Sequence, residues 1–452
     1  MALLITFFYL NSINKVFSEQ PFSVLRKYST KPYLILKVKF VPKNNHFVVK
    51  IVLIVKMEAE NFMEVESFPL NYDCVYKLFE RLGLEECMNL AEAYEDLQCV
   101  ADFTFKTRFR KVTIDFAKNI NIDRILHHIG PFVQSLKLMV FDNSRYTEED
   151  LVKIQKTCKE LKNLTIMGFD RSGNPFCNAS NNLDVLTLAH CTLPKDEDFF
   201  KNFTNLKSLN MLNCKNINYI AMRKCFEHNP GIRSFLYDTQ NLMFSQLLQR
   251  LPNLERLALH YDSRRMNLNF LSQLNSLRCL TLHCKNGPVN VNSVLSELAK
   301  KNDLVELEIN NVTVDGKTIE IIKTFRKLQL LVVSTRNCKF TSPNELPLKL
   351  TTLKLKGFHI SQRQVVSLIK QREHLEKVLL ADCILNSKKS FHSVADSIVQ
   401  GCNLKQNRKV NLILTTSGEK SSKVSNSTNE RFELVFNVKF FFTFCFTENC
   451  HY

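Results

Sequence analysis

The sequence predicts an α/β solenoid, a stack of short parallel strands with a helical return after each. Three observations predict it. An apolar-x-x-apolar-x-apolar template starts at Phe109, Val133, Leu161, Leu183, Leu206, Ile232, Leu254, Leu277, Leu304, Leu328, Leu350 and Leu375. Successive starts lie 22 to 28 residues apart, about 24 on average, which is a structural repeat and not the spacing of chance matches. Helical patterns fill the intervals, and 452 residues exceed what one compact core usually holds.

The clearest copy is Leu183, Leu186, Leu188, Cys191 and Leu193; Leu206, Leu209, Met211 and Cys214 follow it, and Leu375, Val378, Leu380, Cys383 and Leu385 repeat it far downstream. Side chains alternate along a strand, so template positions four and six point into the solenoid while three, five and seven face outward. Tyr237, at a sixth position, is therefore expected inside. A cysteine at the ninth position is small enough to be buried, and its S–H can donate to a turn carbonyl. Asp262, Lys285, Val312, Arg336 and Phe358 take that place in other copies, so the inner turn cannot be uniform.

Thr147 is a helix N-cap candidate followed by two acids, and residues 147–161, 242–251, 291–301, 317–325 and 361–371 read as helices. Together these features resemble the cysteine-containing class of leucine-rich repeats, over about 300 of the 452 residues. The implied fold is a leucine-rich repeat solenoid, a horseshoe with parallel inner strands and outer helices.

Composition sets the domain organisation. The net charge is +17, but residues 1–56 hold Arg26 and eight lysines against Glu19 alone, a surplus of +8 that leaves +9 elsewhere. That remainder is a mildly basic surface and not a nucleic-acid footprint. Residues 1–56 form a basic, apolar extension; Met1 to Leu10 lack the basic flank and cleavage site of a signal peptide, and the functional protein is expected to begin near Met57. The other expected parts are a helical segment (57–105), the repeats (106–414), a polar linker (415–430) and an apolar tail (431–452) that is a closing edge strand, an exposed aggregation hazard or a tail with no folded role. Fifteen dispersed cysteines, an odd number, suit reduced thiols and hence the cytoplasm or nucleus.

The helical segment has its own pattern. Val75, Leu78, Phe79 and Leu82 form one apolar face, Gly83 stops the helix, and Cys87, Leu90, Ala91, Tyr94 and Leu97 form a second face behind Glu85 and Glu86. Phe68, Pro69, Val75, Leu78, Phe79, Leu82, Leu84 and Leu90 match the first two thirds of an F-box, which this segment resembles. The last third departs from that pattern: the chain has no Trp, and Leu97, Cys99 and Val100 are what remains. The alternative is an N-terminal helical cap on the solenoid; a cap buries its apolar face, whereas an F-box leaves part of it free.

The F-box resemblance implies a substrate-recognition subunit of an SCF-type cullin-RING ubiquitin ligase. The eight matching residues would dock on a Skp-family adaptor carried by a cullin scaffold, and the repeats would hold a target protein. The outward strand positions give the candidate target-binding residues: Arg256, His260, Thr281, His283, Glu306, Glu308, Asn310, Lys354, Lys356 and Lys377. Their alternation of basic, acidic and basic coils suits a partner with a charge pattern; the alternative for each is a solvated side chain.

No Gly-rich phosphate loop, HExxH or nucleophile elbow is present, so no enzyme, cofactor or catalytic residue is expected. His127 and His128 fall in an inter-strand helix, and Cys445, Cys450 and His451 lack paired CxxC spacing, so no metal is expected. Two rival functions use the same repeats. One is a secreted or membrane-anchored recognition protein, with Met1 to Leu10 as signal core and sequons at Asn202 and Asn311; the other is an intracellular scaffold without a ligase link.

Overall fold

A computed structural model describes residues 33–43, 46–56, 67–70, 72–118, 121–140, 147–170, 182–238, 245–262, 268–301, 303–339, 346–384, 397–398, 400–402, 410–415 and 432–436. The chain divides into two compact units, one of residues 1–112 and 121–133, the other of 113–120 and 134–452.

The first unit opens with an antiparallel hairpin. β1 (Tyr33–Lys43) pairs with β2 (His46–Lys56), and β2 pairs in turn with β3 (Ser67–Leu70), so Pro69 stands opposite Val48. β3 is an edge strand, where a residue without an N–H is tolerated. Part of the basic extension is thus paired with the strand that carries Phe68 and Pro69.

Helices α1 (Tyr72–Arg81) and α2 (Leu84–Ala93) follow where the apolar spacing predicts them. Gly83 separates them, and its N–H donates to the Glu86 carboxylate at 2.5 Å, which suits an acid in the first turn of α2. A third helix, α3 (Gln98–Arg108), occupies the stretch read from sequence only as an apolar remnant. It buries Val100, Ala101, Thr104 and Phe105, and the Thr104 hydroxyl is satisfied by the Val100 carbonyl one turn back, at 2.8 Å. Arg108, near the end of α3, caps α1 by donating to the carbonyls of Phe79 and of Leu82, the latter at 3.0 Å. Asn121 caps α4 (Ile122–Ile129), which is held to α2 by Arg124 and His128 on Glu92.

The second unit is the solenoid. Fourteen parallel strands stand side by side in chain order. They are β4 (Lys111–Asp115), β5 (Ser135–Met139), β6 (Asn163–Met167), β7 (Val185–Ala189), β8 (Ser208–Leu212), β9 (Ser234–Asp238), β10 (Arg256–Tyr261), β11 (Cys279–Cys284), β12 (Glu306–Asn310), β13 (Leu330–Lys339), β14 (Thr352–His359), β15 (Lys377–Ala381), β16 (Val410–Thr415) and β17 (Phe432–Phe436). Each of β4 to β15 begins two residues after a template start. β16 and β17 extend the array beyond the last recognised copy, and β17 is the edge strand that the tail was one candidate to supply.

Inward positions pack as the alternation requires: Leu186 and Leu188, Leu209 and Met211, Leu280 and Leu282, and Leu353 and Leu355 are all buried, as is Tyr237. The coils are also stitched ahead of each strand. The Lys162 carbonyl accepts from Asp184 and Val185 N–H at 2.8 and 3.0 Å, and equivalent carbonyls repeat this in later coils. After the strand, template position eight takes a left-handed backbone, with φ of 80° at Gly168, 55° at His190, 49° at Asn213, 56° at Asn311, 74° at Gly357 and 49° at Asp382. Gly, Asn, Asp and His tolerate that region best, and the reversal sends position nine inward. There the thiols of Cys191, Cys214 and Cys383 donate to the carbonyls of Ala189, Leu188 and Ala381 at 3.3 to 3.4 Å.

The outer helices include α5 (Glu148–Thr157), α6 (Tyr219–His228), α7 (Asn292–Lys301), α8 (Gly316–Lys323) and α9 (Gln362–Gln371). Thr147 caps α5 reciprocally with Asp150, and Ser361 caps α9 with Gln364. The helix expected over 242–251 is reduced, within the described residues, to the single turn Ser245–Leu248, because Pro252 pushes the residue before it out of the helical region. Asn229 follows α6 at 1% exposure; its side-chain Oδ1 accepts from Leu206 N–H at 2.8 Å and its Nδ2 donates to the Phe203 and Cys225 carbonyls, locking one coil to the next.

Candidate functional site

Register turns the scattered outward residues into three rows across the open face of the sheet. Ser234, Arg256, Cys279, Glu306, Leu330, Thr352 and Lys377 form the first row. Leu236, Ala258, Thr281, Glu308, Val332, Lys354 and Leu379 form the second; Asp238, His260, His283, Asn310, Ser334, Lys356 and Ala381 form the third. All ten sequence-predicted target-binding residues therefore stand on one face, the acidic ones on β12 and the lysines on β14 and β15. Apolar Val332 and Leu330 of β13 lie between them.

Eight of the ten are half-buried, with an accessible edge: Arg256, Thr281, His283, Glu306, Glu308, Lys354, Lys356 and Lys377. Two are not accessible and correct the expectation. His260 and Asn310 face the predicted side but are 4% and 5% exposed. His260 lies with its Nδ1 3.4 Å from Asp238 Oδ2 and its ring centroid 5.1 Å from that of His283, and the Asn310 amide donates to Glu308 Oε1 at 2.7 Å. Packing against lateral neighbours, which the alternation does not encode, removes them from water.

Two further residues belong to this face: Asp238 is buried and pairs with Lys285 as well as His260. The sequence carried a signal for each: Asp238 holds an outward seventh position, and Lys285 is an ionisable residue at the ninth position, where apolar side chains are usual. Burial opposes ionisation of the Asp238 carboxyl, but hydrogen bonds from His260 and Lys285 outweigh it and hold the group below the ordinary carboxylate value. Burial and the neighbouring His260 push His283 below the usual histidine value.

Ion pairs already organise the rest. Arg256 Nη1 reaches across two strands to Glu306 Oε2 at 3.2 Å, and Lys356 Nζ lies 3.6 Å from Asp382. The arrangement can hold a side chain or peptide by charge and hydrogen bonding. Among the described residues no three His, Cys, Asp or Glu are grouped to hold a metal ion, and no helix is long and apolar enough to cross a membrane. Cys445, Cys450 and His451 lie outside the described residues, as does most of the linker. The Asn311 sequon side chain donates to the Cys284 carbonyl at 2.8 Å, a use of its amide within the fold.

The candidate adaptor-binding residues lie in the first unit. Phe68 and Pro69 are on β3; Val75 and Phe79 are fully buried; Leu78, Leu82, Leu84 and Leu90 are half-buried. The apolar face of α1 is thus split between an inner pair committed to the unit's own core and an outer set with accessible edges. Phe103 of α3, 51% exposed, stands edge-on to Tyr76 with ring centroids 4.7 Å apart.

No protein-family model and no curated protein matches the chain. Solved structures do. An internalin from Listeria monocytogenes is 15% identical, with a TM-score of 0.41 over 74% of this chain and 95% of that one. The leucine-rich repeat-containing protein LegL7 from Legionella pneumophila is 13% identical, with a TM-score of 0.38 over 64% of this chain and 97% of that one. The Toll–Spatzle complex of Drosophila contributes a chain 12% identical, with a TM-score of 0.33 over 81% of this chain and 56% of that one. The twelve coils whose strands keep the template register make the second unit an α/β solenoid of leucine-bearing repeats.

Proposed function

We propose that this chain is a recognition subunit that binds a target protein on the open face of its solenoid and catalyses nothing itself. The observation that carries the reading is the set of half-exposed charged and polar side chains held in register from β10 to β15. A rigid face of that kind offers charge complementarity without the entropic loss of ordering a loop.

The finer reading rests on the F-box resemblance of the helical unit. In it, Leu78, Leu82, Leu84 and Leu90 dock on a Skp-family adaptor, a cullin scaffold carries the complex, and the target's lysines are ubiquitinated by a partner enzyme. The chain's contribution is effective concentration, and its place of action is the cytoplasm or nucleus. The burial of Val75 and Phe79 favours the second reading, a scaffold whose helical unit has only a structural role.

Co-purification with a Skp-family adaptor separates the two. The variant to test is Leu82→Asp with Leu84→Asp, which leaves the buried Phe79 in place. Loss of adaptor by a variant with an unchanged circular dichroism spectrum supports the ligase reading. Undiminished capture by the folded variant, or no capture by the parent chain, leaves the scaffold reading.

A further inference from the structure

The hairpin of the first unit has two chemically distinct faces. Residues opposite each other in an antiparallel pair share a side, so the register of β1, β2 and β3 assigns each residue to a face. One face holds the even-numbered residues of β1, the odd-numbered residues of β2, and Phe68 and Leu70 of β3; every one of them is apolar. The other face holds all five lysines of the hairpin, Lys37, Lys39, Lys43, Lys50 and Lys56, together with His46.

The basic face is costly as it stands. Lys39 is placed directly opposite Lys50, with Lys37 two positions along the same side, and like charges opposed across a strand pair destabilise it. No Asp or Glu occurs in β1, β2 or β3 to offset them. A partner that suits this ribbon must therefore supply anions on one side and hydrocarbon on the other. A nucleic acid would answer the lysines and leave the apolar face in water, and an apolar protein groove would do the reverse. An anionic lipid surface supplies both.

We propose that the β1–β2 hairpin is a membrane-surface element that seats the chain on anionic lipid. An amphipathic segment of this kind lies flat in the interface, its apolar side about 5–10 Å into the boundary between headgroups and acyl chains. At that depth the opposite side of a single sheet stands among the headgroups, where each lysine strengthens binding about fivefold. The same headgroups separate Lys39 from Lys50 electrostatically and remove the cost of opposing them. The hairpin's role is separate from whatever the open face of the solenoid binds.

The test uses the full chain and two kinds of vesicle. Flotation with phosphatidylcholine vesicles containing about a third phosphatidylserine should capture the chain at least about 25-fold better than phosphatidylcholine alone, the effect of two or more lysines. Lys39→Gln with Lys50→Gln should lose about that factor, and because it relieves a repulsion it leaves the hairpin intact. Lys377→Ser, in the solenoid, should change nothing. The chain has no Trp, so Leu53→Trp places a single indole on the apolar face, and its emission should move to shorter wavelength when the phosphatidylserine vesicles are added. No capture by the parent chain, or capture undiminished in the double glutamine variant, overturns the proposal. Glu58, Glu60, Glu64 and Glu66 lie outside the described residues; if they neutralise the lysines, capture will be indifferent to phosphatidylserine, and the proposal falls. It falls too if the Leu53→Trp emission is already at short wavelength without vesicles and does not move with them, the result expected if the chain's own helices cover that face.

Discussion

Asp238→Asn probes whether the open face is built on buried charge. In the native chain one carboxylate at 5% side-chain exposure meets two donors, His260 Nδ1 at 3.4 Å and the Lys285 ammonium. Hydrogen bonds to a charged group contribute about 1.5–3 kcal/mol each. Lys285, at 30% exposure, regains water when released, so its share falls at or below the lower end; His260, at 5%, does not. Asparagine keeps one acceptor and turns an NH2 toward the other donor. The expected loss at neutral pH is therefore about 2–3 kcal/mol.

The same geometry fixes the pH dependence. Asp238 has a folded-state pKa below its unfolded value, so its contribution is complete above the unfolded value and is lost as pH falls through the folded one. Urea unfolding of the native chain and Asp238→Asn should thus show a wide gap at pH 7 that narrows below about pH 4. A double-mutant cycle with Lys285→Met should return a coupling of about 1 kcal/mol, because two of the three partners are then absent together. Identical urea midpoints at pH 7, or a gap that ignores pH, would refute the view that this carboxylate is ionised and paired in the folded chain.

Three other outcomes follow from single features. Asn213 has φ of 49°, so Asn213→Gly should leave stability unchanged within about 0.5 kcal/mol, while Asn213→Val should lower it by about 1–2 kcal/mol in chemical denaturation. Hydrogen bonds from Arg124 and then His128 bring the Glu92 carboxyl down to about 2. Glu92→Gln should therefore destabilise by no more than about 1 kcal/mol at pH 7, given its 44% exposure, and the difference should fade as pH falls from about 4.5 towards 2. Mass spectrometry after brief treatment with a maleimide should find the exposed Cys99 modified. Cys87, Cys158 and Cys225, whose thiols burial pushes up to about 11, 12 and 12, should react only when the chain is unfolded.

The sequence by itself determined where the strands are and which of their side chains go inside, because both are local properties. A leucine three and five residues after a template start fixes a strand and its inner face whatever else surrounds it, and all twelve strands from β4 to β15 keep that phase. It also marked the helix starts at Thr147 and Ser361, whose caps involve residues three apart. What it did not show was lateral. Position eight has a left-handed backbone in six coils, a pattern visible only once the strand ends are known. The third helix of the first unit was hidden by short, mixed apolar spacing, and the hairpin before it depends on β2 finding β3 across the chain.

The candidate face shows the division most sharply. Alternation identified its ten residues, but only tertiary structure decided that His260 and Asn310 are covered, that Asp238 meets Lys285 across 47 residues of sequence, and that Arg256 meets Glu306 across 50. The reason is physical. Which way a side chain points is set by its own strand, whereas its exposure, charge state and partners are set by the coils on either side.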